Sequence, residues 1–127
     1  MSQELILNWL DELSESVKLR DLQRHMSLVS KKVQVYGLPS NAIVGYKGWL
    51  RRRKSEFHRE ILSGIKYDNL TLKTITLRRL LFQVTETMHA RSGQRVIIQK
   101  EIMLELEEDE KWRVVEETIK GWSVHKT

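Results

Sequence analysis

Four successive segments, 66–77, 80–90, 94–107 and 112–123, alternate apolar and polar residues with a period of two. That is the period of a β-strand, whose side chains point to opposite faces in turn. Thr, Val and Ile recur along these segments, as a pleated surface favours. The connections between them are too short for a helical crossover, so neighbouring strands run antiparallel as a meander. The C-terminal half of the chain is thereby committed to a sheet, and any helices must come before it.

The N-terminal half has the other period. Leu5, Ile6, Trp9, Leu10 and Leu13 recur at helical spacing, and Leu19, Leu22, Met26 and Val29 mark a second helix closed by Lys31 and Lys32. A short strand follows over 33–36, then turn residues around Gly37 and Pro39. A third helix opens at Gly45 or Gly48 and runs to about residues 63–64. Its apolar stripe is Tyr46, Leu50, Phe57 and Ile61, with Trp49 at the margin. Arg53 and Lys54 fall within about 60° of that stripe's centre, so their stems can lie on apolar surface while their heads reach outward or into a cavity. Helices followed by long strands predict an α+β domain with helices on one face of the sheet.

The length of 127 residues predicts one domain over 1–127. The absence of cysteine excludes disulfides, thiolate metal sites and cysteine nucleophiles. The N-terminus lacks the basic start and apolar block of a signal peptide, and no apolar run is long enough to span a bilayer. A cytoplasmic protein without a membrane partner is the expectation. Net charge is +5, with Arg51, Arg52, Arg53, Lys54 and Arg59 clustered centrally and seven acids between Glu105 and Glu117. These read as two solvated surfaces of opposite sign. The basic helix only partly meets the spacing of a phosphate-tracking stripe and has no interleaved aromatic platform, so nucleic acid is the weakest of the functional readings. The four histidines, His25, His58, His89 and His125, are far apart, and no metal site is expected. Nor is a cofactor: no glycine-rich phosphate loop, nucleophile elbow or Ser/His/Asp arrangement is present.

Register places ionisable groups among the apolar ones. One face of the second long strand holds Leu80, Phe82, Val84, Glu86 and Met88, and one face of the third holds Val96, Ile98, Lys100, Ile102, Leu104 and Leu106. A three-residue loop, Arg91-Ser92-Gly93, with Gly93 left-handed, puts both faces on the same side. If Glu107 opposes Trp112, then Ile102 opposes Glu117 and Lys100 opposes Ile119, so the face continues through Val115, Glu117 and Ile119. Glu86, Lys100 and Glu117 then converge on a greasy surface, where each is costly to bury unpaired. They are the lining of a pocket with shifted proton affinities, or an ion-pair cluster that neutralises itself.

Segment 21–37 (DLQRHMSLVSKKVQVYG) resembles the second helix and first strand of the nuclear transport factor 2-like superfamily. Residues 45–50 (GYKGWL) resemble the following helix start, and 111–117 (KWRVVEE) the strand that ends such domains. The resemblance implies a cystatin-like cone: a strongly curved antiparallel sheet wrapped on three N-terminal helices, with a cavity at its open end. It also implies homodimerisation through the outer sheet face, here carrying Ile97, Met103, Val114 and Trp122. Members include ketosteroid isomerases, polyketide cyclases and dehydratases. Where the isomerases place an Asp base after the first strand, this chain has Tyr36; their protonated Asp falls at Lys100 or Glu101.

These readings together describe a domain that binds a small, partly apolar molecule, with isomerase-, cyclase- or dehydratase-like chemistry open to it. Glu86 or Glu117 would be the base, and Tyr36 or Lys100 would stabilise developing negative charge. Trp49, Arg53 and His25 are the candidate ligand-binding residues, His25 being also readable as a satisfied histidine at the core boundary. The alternatives are a non-catalytic interaction or dimerisation module and, more weakly, nucleic-acid binding through the third helix.

Overall fold

The computed structural model describes residues 2–126. Three helices come first: α1 (Ser2–Lys18), α2 (Leu22–Met26) and, after the strand β1 (Val29–Tyr36), α3 (Tyr46–His58). The long strands β2 (Leu62–Ile75), β3 (Arg79–Ala90), β4 (Arg95–Leu106) and β5 (Trp112–His125) follow.

Helix α1 buries Ile6, Trp9, Leu10, Leu13 and Val17, the stripe its spacing dictates. The chain then turns at Arg20, whose φ is +52°, and Asp21 caps α2 by accepting a hydrogen bond from the Arg24 amide at 3.1 Å. That cap makes α2 shorter than the sequence stripe suggested. Leu19 lies outside it and is exposed, and Val29 already belongs to β1. Helix α3 likewise ends early. Glu60 adopts a φ of +55°, β2 starts at Leu62, and Ile61 is exposed instead of completing a helical stripe. The face α3 buries is Trp49, Arg53 and Phe57, one residue every four.

The sheet has five strands in the order β1-β5-β4-β3-β2. The three hairpin pairings are antiparallel, but β1 runs parallel to β5. This corrects the wholly antiparallel, strongly curved cone implied by resemblance: the sheet is mixed and open, and is neither strongly curved nor closed. The direction follows from the connections. Three hairpins reverse the chain three times between β2 and β5; the connection through α3 carries the chain from β1 to β2 at the opposite edge, and β1 lies beside β5 in the same sense. Strands β1 and β2 remain as two edges with no bond between them.

The β3–β4 hairpin is the odd loop expected. Gly93 has a φ of +93° and its amide donates to the Ala90 carbonyl at 3.0 Å. Strand β5 departs from strict alternation twice. Leu104 faces Val114 while Met103 faces Glu116, and Lys100 faces Ile119 while Gln99 faces Gly121. Val115 and Lys120 are therefore extra residues, each a bulge. Apolar side chains from the inner sheet face, chiefly Phe82, Val84, Ile102, Leu104 and Val114, meet those of α1 and α3 to form the core.

Candidate functional site

Inner-face alternation in β3 and β4 carries Glu86 and Lys100 into the interior, and the stretch of β5 between its two bulges brings Glu117 beside them. Their exposures are 1%, 6% and 3%. Lys100 Nζ lies 3.0 Å from Glu86 Oε2 and 3.2 Å from Glu117 Oε2, so one ammonium sits between two carboxylates. Tyr67, across from Glu86 on β2, donates its hydroxyl to Glu86 Oε1 at 2.6 Å. Arg53 reaches the cluster from α3 and donates Nη1 to Glu56 at 2.5 Å, with its guanidinium 5.9 Å from the Trp49 ring.

Glu86, Lys100, Glu117, Arg53 and Glu56 line a pocket of about 170 Å³, with Tyr67 behind Glu86 and outside its lining. Its walls are apolar, with Val35, Leu38, Val44, Trp49, Met88 and Ile98 among them. Arg52, Arg53, Glu56, Glu86, Lys100 and Glu117 supply the charge.

The two carboxyls are driven apart in proton affinity. Burial would raise Glu86, but the charge on Lys100, the Tyr67 hydroxyl and Arg53 outweigh it and hold Glu86 below the usual carboxylate range. Burial raises Glu117, and Glu86 adds to the rise against the pull of Lys100, so Glu117 sits above that range. Burial works against the charge on Lys100, yet Glu117 and Glu86 together hold its pKa above the ordinary lysine value. Burial and the Glu86 charge push Tyr67 well up, so its hydroxyl stays protonated and donates. Glu86 thus favours its charged form, and Glu117 holds its proton more tightly than an ordinary carboxyl. Among the described residues no group of three His, Asp or Glu side chains is disposed to hold a metal ion.

The structure brings together five of the seven side chains singled out from sequence: Glu86, Lys100, Glu117, Arg53 and Trp49. Tyr36 is not among them. Val33 and Val35 take the buried face of β1, so Tyr36 points the other way and gives its hydroxyl to Gln34 at 2.5 Å. His25 lies behind the pocket, with no exposed surface. Its Nε2 accepts from Trp49 Nε1 at 3.0 Å, and its Nδ1 is 3.0 Å from Ser16 Oγ, which itself donates to the Leu13 carbonyl at 2.6 Å. With the serine proton spent on Leu13, the ring carries its proton on Nδ1. Burial, with Arg53 and Lys100 nearby, lowers its pKa to about 3, so it is a neutral bracket for Trp49.

Tyr67, Glu56 and Arg52 were missed by the sequence reading. Tyr67 could be reached only through the β2–β3 register, which shifts three times along that hairpin. The outer-face stripe also changes: Val114 is buried opposite Leu104, and Trp122 pairs with Ile98 on the inner side. Only Ile97 and Met103 of the proposed dimer stripe remain on the outer face. No helix among the described residues is long and apolar enough to cross a membrane.

No family model and no curated protein matches the sequence. Solved structures match the fold over nearly its whole length. An NTF-2 like protein of unknown function from Shewanella oneidensis superposes with a TM-score of 0.77 at 13% identity, covering 94% of this chain and 98% of that one. The chain has a nuclear transport factor 2-like fold. A candidate scytalone dehydratase from Novosphingobium aromaticivorans shares this fold with a TM-score of 0.74 at 10% identity, over 99% of this chain and 89% of that one. A hexachlorocyclohexane dehydrochlorinase does so with a TM-score of 0.65 at 14% identity, over 98% and 88%. The nuclear transport factor 2-like fold thus includes structures named as enzymes, while identities this low carry the architecture alone.

Proposed function

We propose that the pocket binds a small, partly apolar molecule and moves a proton on it, with Glu117 as the acid–base group and Lys100 as the stabiliser of negative charge that develops on the molecule. One observation carries this reading. Two carboxylates share one lysine in an apolar-walled pocket, and their surroundings push their proton affinities in opposite directions. Such a split separates a fixed charge from a working acid or base. Glu86 is held by Tyr67 and Lys100; Glu117 has Lys100 as its ion-pair partner among the described residues and faces the pocket. The solved structures named as a dehydratase and a dehydrochlorinase show that proteins with this fold are named for chemistry on small molecules. A filled interior would have favoured a purely protein-binding role, and the pocket counts against it.

The test is hydrogen–deuterium exchange at the α-carbon of small monocyclic ketones in heavy water, followed by proton NMR. Wild type is expected to exchange them at least tenfold faster than Glu117→Gln, at the low end of what a positioned acid–base group supplies. Equal rates in both proteins would reject the proton-transfer role. Shifts of the Trp49 indole N–H on adding the same ketones would then separate plain binding from no binding.

A further inference from the structure

Arg53 carries a buried Nε–H with no hydrogen-bond partner among the described residues. The side chain is 8% exposed and lies in the buried stripe of α3 between Trp49 and Phe57. Glu56 takes Nη1. A buried, unpaired N–H of a charged group is expensive, and folded proteins seldom leave one. Nε belongs to the Nε–Nη2 edge, the side of a guanidinium that presents two parallel donors to the two oxygens of a carboxylate. The same chain shows that edge filled elsewhere. On the surface, Arg24 gives Nε and Nη2 to the two carboxylate oxygens of Glu12 at 3.1 and 2.9 Å.

We infer that the pocket takes a small, largely apolar carboxylate whose two oxygens seat on the Nε–Nη2 edge of Arg53. The inference rests on the pocket being a ligand site and names the class of ligand. Size agrees: about 170 Å³ is below the roughly 300–1,000 Å³ of pockets for drug-sized ligands, so the body of the molecule is no more than a ring or a short branched chain. Val35, Leu38, Val44, Met88 and Ile98 provide the apolar wall for it.

Charge sets a second requirement. Arg52, Arg53 and Lys100 face Glu56, Glu86 and Glu117 around the pocket, three cations against three carboxylates. A bound carboxylate is a fourth negative charge. Glu117 can neutralise it by taking up a proton, for it faces Lys100 from β4, Glu86 from β3, Arg53 from α3 and the Tyr67 hydroxyl from β2. Among these only Glu117 is a carboxyl already held above its ordinary pKa. His25 stays neutral behind Trp49 and contributes no charge. The ligand therefore enters together with one proton.

Benzoate and its neutral isostere benzamide are the probes, with calorimetry run in two buffers of different ionisation heat. Wild type is expected to bind benzoate at least tenfold tighter than benzamide and to take up about one proton per benzoate. Arg53→Lys keeps the cation but loses the fork, and should cut benzoate affinity at least tenfold while leaving benzamide unchanged. Glu117→Gln should bind benzoate with no proton uptake. Should Arg53→Lys fail to fold, the benzoate-to-benzamide ratio in wild type decides alone. Equal affinity for the two probes would overturn the carboxylate assignment and leave the pocket reading standing. Benzoate binding to wild type without a proton would overturn the role of Glu117 as proton acceptor. Binding of neither probe would remove both the carboxylate assignment and the pocket reading on which it stands.

Discussion

His25 is bracketed by Ser16, Trp49 and, edge-on, the Phe57 ring 5.6 Å away. A histidine held neutral with a pKa near 3 must be charged to follow the unfolded chain, whose histidine titrates at about 6.5. The folded pKa is the lower one, so its contribution is complete above the unfolded value and is lost as pH falls from about 6.5 towards 3. The expected loss between about pH 7.5 and pH 5 is about 2 kcal/mol, read by urea denaturation. His25→Gln keeps an acceptor for Trp49 but cannot be protonated, and its stability should be flatter over that window by the same amount; parallel curves would refute the account. The buried triad gives a second expectation. Glu86→Gln and Lys100→Met each strand a partner's charge and should cost about 3–5 kcal/mol, while the double variant should cost less than their sum. Strict additivity in thermal or chemical unfolding would mean the groups are not coupled. Much of this triad was legible in the sequence, because two alternating strands joined by a three-residue loop leave Glu86 and Lys100 little choice of face. Tyr36 was misplaced because alignment by resemblance ignored the alternation of Val33 and Val35, which turns the tyrosine away.

At the level of elements, hydrophobic period was a good guide to type and a poor one to ends. Helix α2 and the C-terminal end of α3 are set by a cap and by left-handed residues, Asp21, Arg20 and Glu60, whose backbone angles no apolar spacing reveals. Strict alternation also misassigned β5, since its two bulges place inward-facing Val114 and Glu117, and again Ile119 and Trp122, three residues apart. Gly37 shows how closely β1 and β5 are fitted. Its φ is +84°, and a Cβ there would stand 2.2 Å from the Ile119 carbonyl oxygen. Gly37→Ala should therefore destabilise the protein by more than about 2 kcal/mol, adding backbone strain to a clash with main chain. Gly121 has open space around its Cβ position, and Gly121→Ala should change stability by less than about 0.5 kcal/mol. Thermal melts of the two variants side by side provide the check.

For the molecule as a whole, the mixed, open sheet leaves two edges, and the chain treats β2 as the expendable one. Its register against β3 shifts three times, Asn69 has a φ of +57°, and its far end through Ile75 is exposed. Irregularity of this kind discourages pairing with another chain. Amide exchange should therefore be fast over residues 69–77 and slowest in β4 from Ile98 to Leu104, where strands lie on both sides; uniform protection across the sheet would contradict this. The parallel β1–β5 pairing could not be read from the sequence, because β1 and β5 lie at opposite ends of the chain and hydrophobic period says nothing about which strands pair across that distance. The two bulges carry one more consequence. Strand β5 has 14 residues beside the 12 of β4, so it holds spare length on either side of Glu117. Removing Val115 or Lys120 would let the ladder close up as a regular one with Glu117 still opposite Ile102. The strand that bears Glu117 can thus absorb the loss of a residue at either place, and shortening it there changes the twist of the strand and leaves Glu117 in register.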